Sequence, residues 1–242
     1  MTARFNDLGQ PIGAEIPRWS PAAPPPRTAI EGRRCVVEPL DPDRHGAPLF
    51  DAYAEDAEGR IWTYMAYGPF DSVADYRAWI AATCLGDDPL FHAIVERATG
   101  RALGVASYLR IVPAVGVIEV GHINFAPPLQ RTAMATEAMF LMMRRVFDEL
   151  GYRRYEWKCD AVNAGSRRAA ERLGFTFEGV FRQATIYKGR NRDTAWYAIV
   201  DRDWPAIRSA YEAWLAPDNF DANGVQRERL SVPLLNPPSG RI

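Results

Sequence analysis

The stretch from Pro127 to Ala138, PPLQRTAMATEA, has the residue types of a turn that opens into a helix. The first turn of a helix exposes backbone N–H groups without partners and the positive end of the helix dipole, so it binds anions. Glycine is required in such a turn only where φ is positive or where a ligand lies against the backbone. Alanine, the smallest substitute, stands at 133 and 135, and Arg131 adds a guanidinium able to bond phosphate oxygens. The chemistry this allows is the grip of a pyrophosphate. An ordinary helix start with a solvated arginine uses the same residue types. Two other stretches could meet a ligand. GRIWTYMAYGPF carries Trp62, Tyr64, Met65, Tyr67 and Phe70, too many large apolar groups for a polar loop. It reads equally as an aromatic wall for a substrate or as a small satellite core. YKGRNRDT holds Lys188, Arg190 and Arg192, which suit a solvated hairpin turn or a contact with an acidic group.

These stretches need elements to hold them. RCVVEPL reads as a short strand, and HGAPLFDAYA and SVADYRAWIAATCL have helical spacing, with Ser72 as the N-cap of the second. LFHAIVERATGRALGVASYLRI predicts two strands joined at ATGR. VGVIEVGHINF predicts another, in which Gly121 permits a bulge. TAMATEAMFLMMRRVFDELG gives the strongest helix signal, with Ala135, Ala138, Met139, Met142, Met143, Val146, Phe147 and Leu150 on one face and Gly151 as the stop. RRYEWKC alternates as a strand, and NAGSRRAAERLG predicts a short helix capped by Asn163 or Ser166. FTFEGVFRQATIYKG and RDTAWYAIV form a last strand pair before the helix WPAIRSAYEAWL. This order predicts an α/β protein with a mixed sheet and helices on both faces. Residues 1–32 are a proline-rich arm, residues 33–215 the body, and residues 216–242 a tail of similar character to the arm.

Composition narrows the function. The chain has 242 residues and 48% hydrophobic content, enough for one sizeable core. Twenty-nine Lys and Arg against 30 Asp and Glu give a net charge of -1, so no basic excess argues for nucleic acid or an anionic membrane as partner. Cys35, Cys84 and Cys159 are widely spaced and show no metal-ligand pattern, which predicts reduced thiols, no metal and a cytoplasmic protein. The start, MTARFNDLGQ, lacks the apolar core of a signal peptide, and no apolar run approaches the ~20 residues of a membrane span.

The ordered set GHINFAPPLQRTAMATEAM and GYRRYEWKCDAVNAGSRRAAERLGFTFEGVFRQ resembles the GCN5-related N-acetyltransferases over roughly residues 33 to 200. It is most similar to the branch that acetylates ribosomal-protein N-termini. The matching residues are Gln130, Ala135, Glu137, Ala138, Asn163, Ser166, Leu173, Gly174 and Phe175; Arg131 and Ala133 stand where that branch has glycine. The resemblance implies the GNAT fold, a mixed central sheet splayed around the cofactor. It implies acetyl-CoA as cosubstrate, with its pyrophosphate on the backbone N–H groups of Gln130, Arg131, Thr132, Ala133, Met134 and Ala135. Pantetheine would follow the strand ending at Phe125, and Asn163 would bond that arm. A bulge between Gly121 and Asn124 would aim an amide at the thioester carbonyl.

Transfer to an amine needs a proton acceptor, an oxyanion donor and a proton for the thiolate. The resemblance implies Ser166 as the acid, since the tyrosine that many members use falls at Ala170. It implies Glu119 as the base, and burial is what lets a carboxylate serve that role near neutrality. A second base glutamate of the branch is replaced by Thr185. His122 is another candidate, on the opposite face from Glu119 by strand parity unless a bulge shifts it. Trp62, Tyr64 and Tyr187 would contact the acceptor, a small-molecule amine or a protein N-terminus. A homodimer is compatible with all of this. A non-catalytic acyl-CoA sensor is the competing function, motivated by the replaced glycines and the replaced glutamate.

Overall fold

A computed structural model describes residues 4–233. The last expected tail residues, 234–242, lie outside the described residues. The amino-terminal arm is extended but engaged. Its first residues pair as β1 (Arg4–Phe5) and β2 (Pro11–Ile12). Trp19 Nε1 then donates to Ala114 O at 2.9 Å, and the amides of Ala22 and Ala23 donate to Pro113 O and Leu150 O. Arg145, 5% exposed, donates to the carbonyls of Thr28 and Ala29. β3 (Ile30–Glu31) already belongs to the main sheet, two residues inside the expected arm.

The body continues with β4 (Cys35–Pro39), α1 (Pro42–Ala54) and α2 (Val73–Thr83). Asp41 caps α1 through the amides of Asp43 and Arg44, and Ser72 caps α2 through the amide of Asp75. β5 (Leu90–Glu96), β6 (Ala102–Val112) and β7 (Val117–Phe125) form an antiparallel meander. α3 (Ala133–Arg144) follows and widens into a π-helical turn, Arg145–Glu149, that Gly151 ends at φ 74°. Then come β8 (Arg154–Asp160), α4 (Ala164–Arg172), β9 (Thr176–Tyr187), β10 (Arg190–Val200) and α5 (Trp204–Leu215). The eight strands lie in the order β3-β4-β5-β6-β7-β8-β10-β9, antiparallel except where β7 meets β8.

The single apolar face expected for α3 understates its burial. Every residue from Met134 to Met143 is buried. The sheet covers one side, where Tyr108 Oη donates to Met142 O; α5 covers another, where Phe140 stacks on Tyr211 at 5.1 Å. The carboxylate of Glu137, 5% exposed, accepts from the backbone amides of Arg33, Arg34 and Cys35 at 2.7–3.1 Å. Three backbone donors satisfy a charge that burial would otherwise penalise, and they tie the start of β4 to α3.

Candidate active site

The parallel ladder of β7 and β8 stops at Val120 opposite Trp157, although β7 runs on to Phe125 and β8 to Asp160. Beyond that pair the strands part. The pairing of β7 with β6 is also irregular there: Gly121 lies opposite Ser107 and Asn124 opposite Val105, so β7 spends one extra residue. The excess is a bulge, and His122 within it has φ 50°. The bulge overturns simple strand parity. Phe91, Ser107 and Gly121 are cross-strand partners and share a face, and the His122 ring lies 4.7 Å from the Phe91 ring. His122 thus joins Glu119 on the face covered by α1 and α2. Burial, and then the charge of Arg110, push its pKa down to about 4. Its Nδ1 lies 3.3 Å from the Tyr67 hydroxyl.

On the other side of the parting lies a cleft of about 900 Å³. It reaches from Ile123, Trp157 and Ser166 along α4 and the start of α3 to Trp214 and Phe220. Three arginines, Arg131, Arg168 and Arg172, line it, and among the described residues no carboxylate does. Asn124 lines it too, with its Nδ2 buried and without a partner among the described residues. A cleft with free donors, one helix amino end and cations alone fits a phosphorylated ligand such as coenzyme A. A second hollow of about 460 Å³, beside Arg154 and Asp201, has charges of both signs, and its Arg154 is already paired with Glu178.

The helix start is built without glycine at a cost in backbone geometry. Arg131 adopts φ 60°, the left-handed region where glycine is unstrained, at a position where the resembling branch has glycine. Thr132 caps α3: its Oγ1 accepts from the amide of Ala135 at 3.0 Å and donates to Leu129 O at 2.7 Å. This corrects the expected set of phosphate-binding amides. Gln130 N donates to Ala126 O and its Nε2 to Phe125 O, and the Ala135 amide is taken by the cap. The amides left open at the helix start are those of Arg131, Thr132, Ala133 and Met134. Gln130, Ala135 and Phe125 still line the cleft with their side chains.

Asn163, not Ser166, caps α4, since its Oδ1 accepts from the amide of Ser166 at 3.0 Å. Ser166 Oγ instead accepts from Trp157 Nε1 at 3.0 Å and faces the cleft. With one lone pair occupied by the indole, its hydroxyl hydrogen can donate, and the Cys159 sulfur is an acceptor within its reach. The Asn163 amide nitrogen is likewise outside the cap.

Glu119 is buried, but it does not stand as an unpaired carboxylate. Its Oε2 meets Arg110 Nη1 at 2.7 Å and Lys158 Nζ at 2.8 Å. Lys158 also bonds Glu156 at 2.7 Å and sits 3.7 Å from the Trp196 ring centroid, and Arg154 joins Glu156 to Glu178. The expected base therefore belongs to an ion chain: both cations sit on Oε2, and Oε1 has no hydrogen-bond partner among the described residues. Trp62 also departs from the expected aromatic wall. It is 6% exposed, and its ring packs edge-on to Tyr53 and Phe70 at 5.1 and 5.6 Å. The stretch is largely a satellite core. Only the backbone of Trp62 is reached, by Lys188 Nζ at 2.9 Å, which brings the β9–β10 hairpin against this loop. Tyr64 is half-buried in the same loop. Tyr187 donates to Asp160 Oδ2 at 2.8 Å, and burial followed by that bond raises its pKa to about 12.

Sequence reasoning assigned no role to Glu137 or to the cleft-lining Arg168, Arg172, Trp214, Phe220 and Val225. The tail carried one usable signal, the turn-forming run Asp221-Ala222-Asn223-Gly224, where Asp221 Oδ1 accepts from the amides of Asn223 and Val225.

Comparison with known proteins agrees with this geometry. The model of the acetyltransferase (GNAT) domain family matches residues 34–176. The chain belongs to that family and is an acetyltransferase. A GCN5-related N-acetyltransferase from Brucella melitensis shares 49% identity over 89% of this chain and 97% of its own, with a TM-score of 0.86. A Chromobacterium violaceum protein described as a probable acetyltransferase of the GNAT family shares 42% over 81% of this chain and 98% of its own, with a TM-score of 0.76. The self-immunity acetyltransferase MccE, solved with acetyl-CoA and AMP, shares 22% over 70% of this chain and 93% of its own; with a TM-score of 0.61 it shows the fold alone. No curated protein matches this chain. Among the described residues no helix is long and apolar enough to cross a membrane, and no group of His, Cys, Asp or Glu is arranged to hold a metal ion.

Proposed function

We propose that this acetyltransferase moves the acetyl group of acetyl-CoA directly onto a primary amine, a protein N-terminus or a small-molecule amine, with both substrates bound together. The observation that carries the reading is the carboxylate-free cleft that joins the amino end of α3 to the parting of β7 and β8. The open amides of residues 131–134 and Arg131 hold the pyrophosphate, and Asn163 and Asn124 bond the pantetheine arm. The bulged backbone after Gly121 supplies the oxyanion donor. The amine nitrogen attacks the thioester carbon, the C–S bond breaks, and Ser166 gives its hydroxyl proton to the departing sulfur.

His122 is the better-placed base. It shares a face with Glu119 and no cation is hydrogen-bonded to it among the described residues, although burial and the Arg110 charge hold its pKa down to about 4, which weakens it as a proton acceptor. In the tautomer whose Nδ1–H donates to Tyr67, Nε2 carries a free lone pair. Glu119 then has a different role, holding Lys158 in place. An α-amine, with a pKa of ~8, needs little help to lose its proton, which favours N-termini among acceptors. The ribosomal-protein branch is supported by the residue match at Asn163 and Ser166; a Vibrio cholerae structure named for ribosomal-protein-serine acetylation, at 19% identity, adds only the fold.

The test is thiol release from acetyl-CoA with a panel of peptides differing in their first residue and a panel of small amines. Release with at least one acceptor, and acetylated product by mass spectrometry, is expected. Tight acetyl-CoA binding with no release for any acceptor would favour the sensor.

A further inference from the structure

The tail after α5 is built into the wall of the cleft. Residues Pro217–Asn219 form a single 3₁₀ turn, and Phe220 bridges back to Gln226. Asn219, 9% exposed, locks this loop: its Nδ2 donates to Trp214 O at 2.8 Å, and its Oδ1 accepts from the amide of Glu228 at 2.8 Å. Trp214 Nε1 donates to Gln226 Oε1 and Glu228 O, both at 3.0 Å. The body grips the loop from its own side, with Arg34 over the Phe220 ring at 4.1 Å and Arg172 over the Trp214 ring at 5.6 Å. So many side-chain bonds fix a segment that its composition marks as a loose end. Yet Val225, apolar and 59% exposed, lines the cleft.

The position of this wall has a chemical meaning. α4 runs from Asn163, near the parting of the strands, to Arg172, roughly 13 Å away at 1.5 Å per residue. Arg172 meets the start of α3 through Thr136 Oγ1 at 3.1 Å and meets the tail through Trp214. The cleft therefore has a reactive end at Ser166 and a far end at Phe220 and Val225, with the anion-binding helix start between them. A ligand whose thioester lies at one end and whose phosphates lie in the middle carries its nucleotide to the other.

The geometry points to the tail as the nucleotide-recognising part of the coenzyme site: Phe220 and Val225 form an apolar shelf for the purine, and Arg172 and Arg168 take the ribose phosphate. This deepens the reading of the cleft given above and rests on it. The tail acts as a specificity determinant that separates coenzyme A from shorter acyl thioesters carrying the same reactive end.

Calorimetry with coenzyme A and with 4′-phosphopantetheine, which lacks the nucleotide, tests this on the full chain. Val225→Asp at an exposed position, and Phe220→Ala, are each expected to weaken coenzyme A about tenfold, as loss of a purine contact does. Phosphopantetheine affinity is expected to stay unchanged, which also reports that the variants are folded. Equal losses for both ligands, or no loss for coenzyme A, would overturn the role of the tail. If the unaltered protein binds neither ligand, it is the assignment of the cleft that fails instead.

Discussion

The two sides of the parted strands are built from different materials. The proposed coenzyme side has main-chain amides at one helix start and three arginines, with no carboxylate among the described residues. The acceptor side uses rings and a chain of paired charges, Arg110–Glu119–Lys158–Glu156–Arg154–Glu178. A ligand common to a whole family can be held by backbone, because backbone donors depend on local conformation and little on residue identity. A particular acceptor has to be distinguished by side chains from separate segments. In the reading proposed above, those are the loop after α1, the bulge of β7 and the β9–β10 hairpin.

The contrast can be broken most severely at the helix start. Ala133→Asp sets a carboxylate beside the open amides, and coenzyme binding should fall by about a hundredfold or more, measured by calorimetry. Ser166→Ala should lower kcat by about a hundredfold while the Kd for acetyl-CoA stays put; a change in Kd alone would make Ser166 a binding residue. On the acceptor side, two variants sharpen the division of labour. His122→Gln should cost about a hundredfold in kcat/KM with little change in fold. Glu119→Gln should instead cost about 1–3 kcal/mol in denaturant unfolding, because Lys158 loses one of its two carboxylates, with kcat altered only a few-fold. The reverse pattern would restore Glu119 as the base.

Smaller effects remain. Arg131→Gly relieves a left-handed residue and should stabilise the protein by up to about 1 kcal/mol, while coenzyme affinity weakens through the lost guanidinium. His122 is held neutral in the fold, with a pKa of about 4 against its ordinary 6.5. Its contribution to stability is thus full above pH 6.5 and is lost as pH falls towards 4. Thermal melts of His122→Gln should show a shallower decline across that window than the unaltered protein.

The elements around the proposed coenzyme cleft were more legible in sequence than the contacts on the proposed acceptor side. Ser72, Gly151 and the alternation in RRYEWKC act locally, so the elements they mark follow from short-range rules. Asn163 and the loop before α3 were visible for the same reason. The facing of His122 was left open between strand parity and a bulge, and an inserted residue in β7 reverses the facing that alternation predicts. The ion pairs of Glu119 were invisible in sequence, because a buried glutamate looks alike there whether it stands alone or is paired with Arg110, nine residues away, and with Lys158 on another strand. For Trp62 the sequence left an aromatic wall and a satellite core equally open, because the spacing in a loop does not say whether its rings turn inwards. The tail, read as an extended end, folds because Asn219 and Trp214 bond across it, partners that no periodicity announces.

The carboxylate of Glu137, clasped by three amides at residues 33–35, gives the helix start a mechanical constraint. The first turn of α3 cannot tilt towards an incoming anion without stretching bonds to the edge of the sheet. In the proposed reading its donors are held aimed before the coenzyme arrives, and little ordering entropy is left to lose on capture.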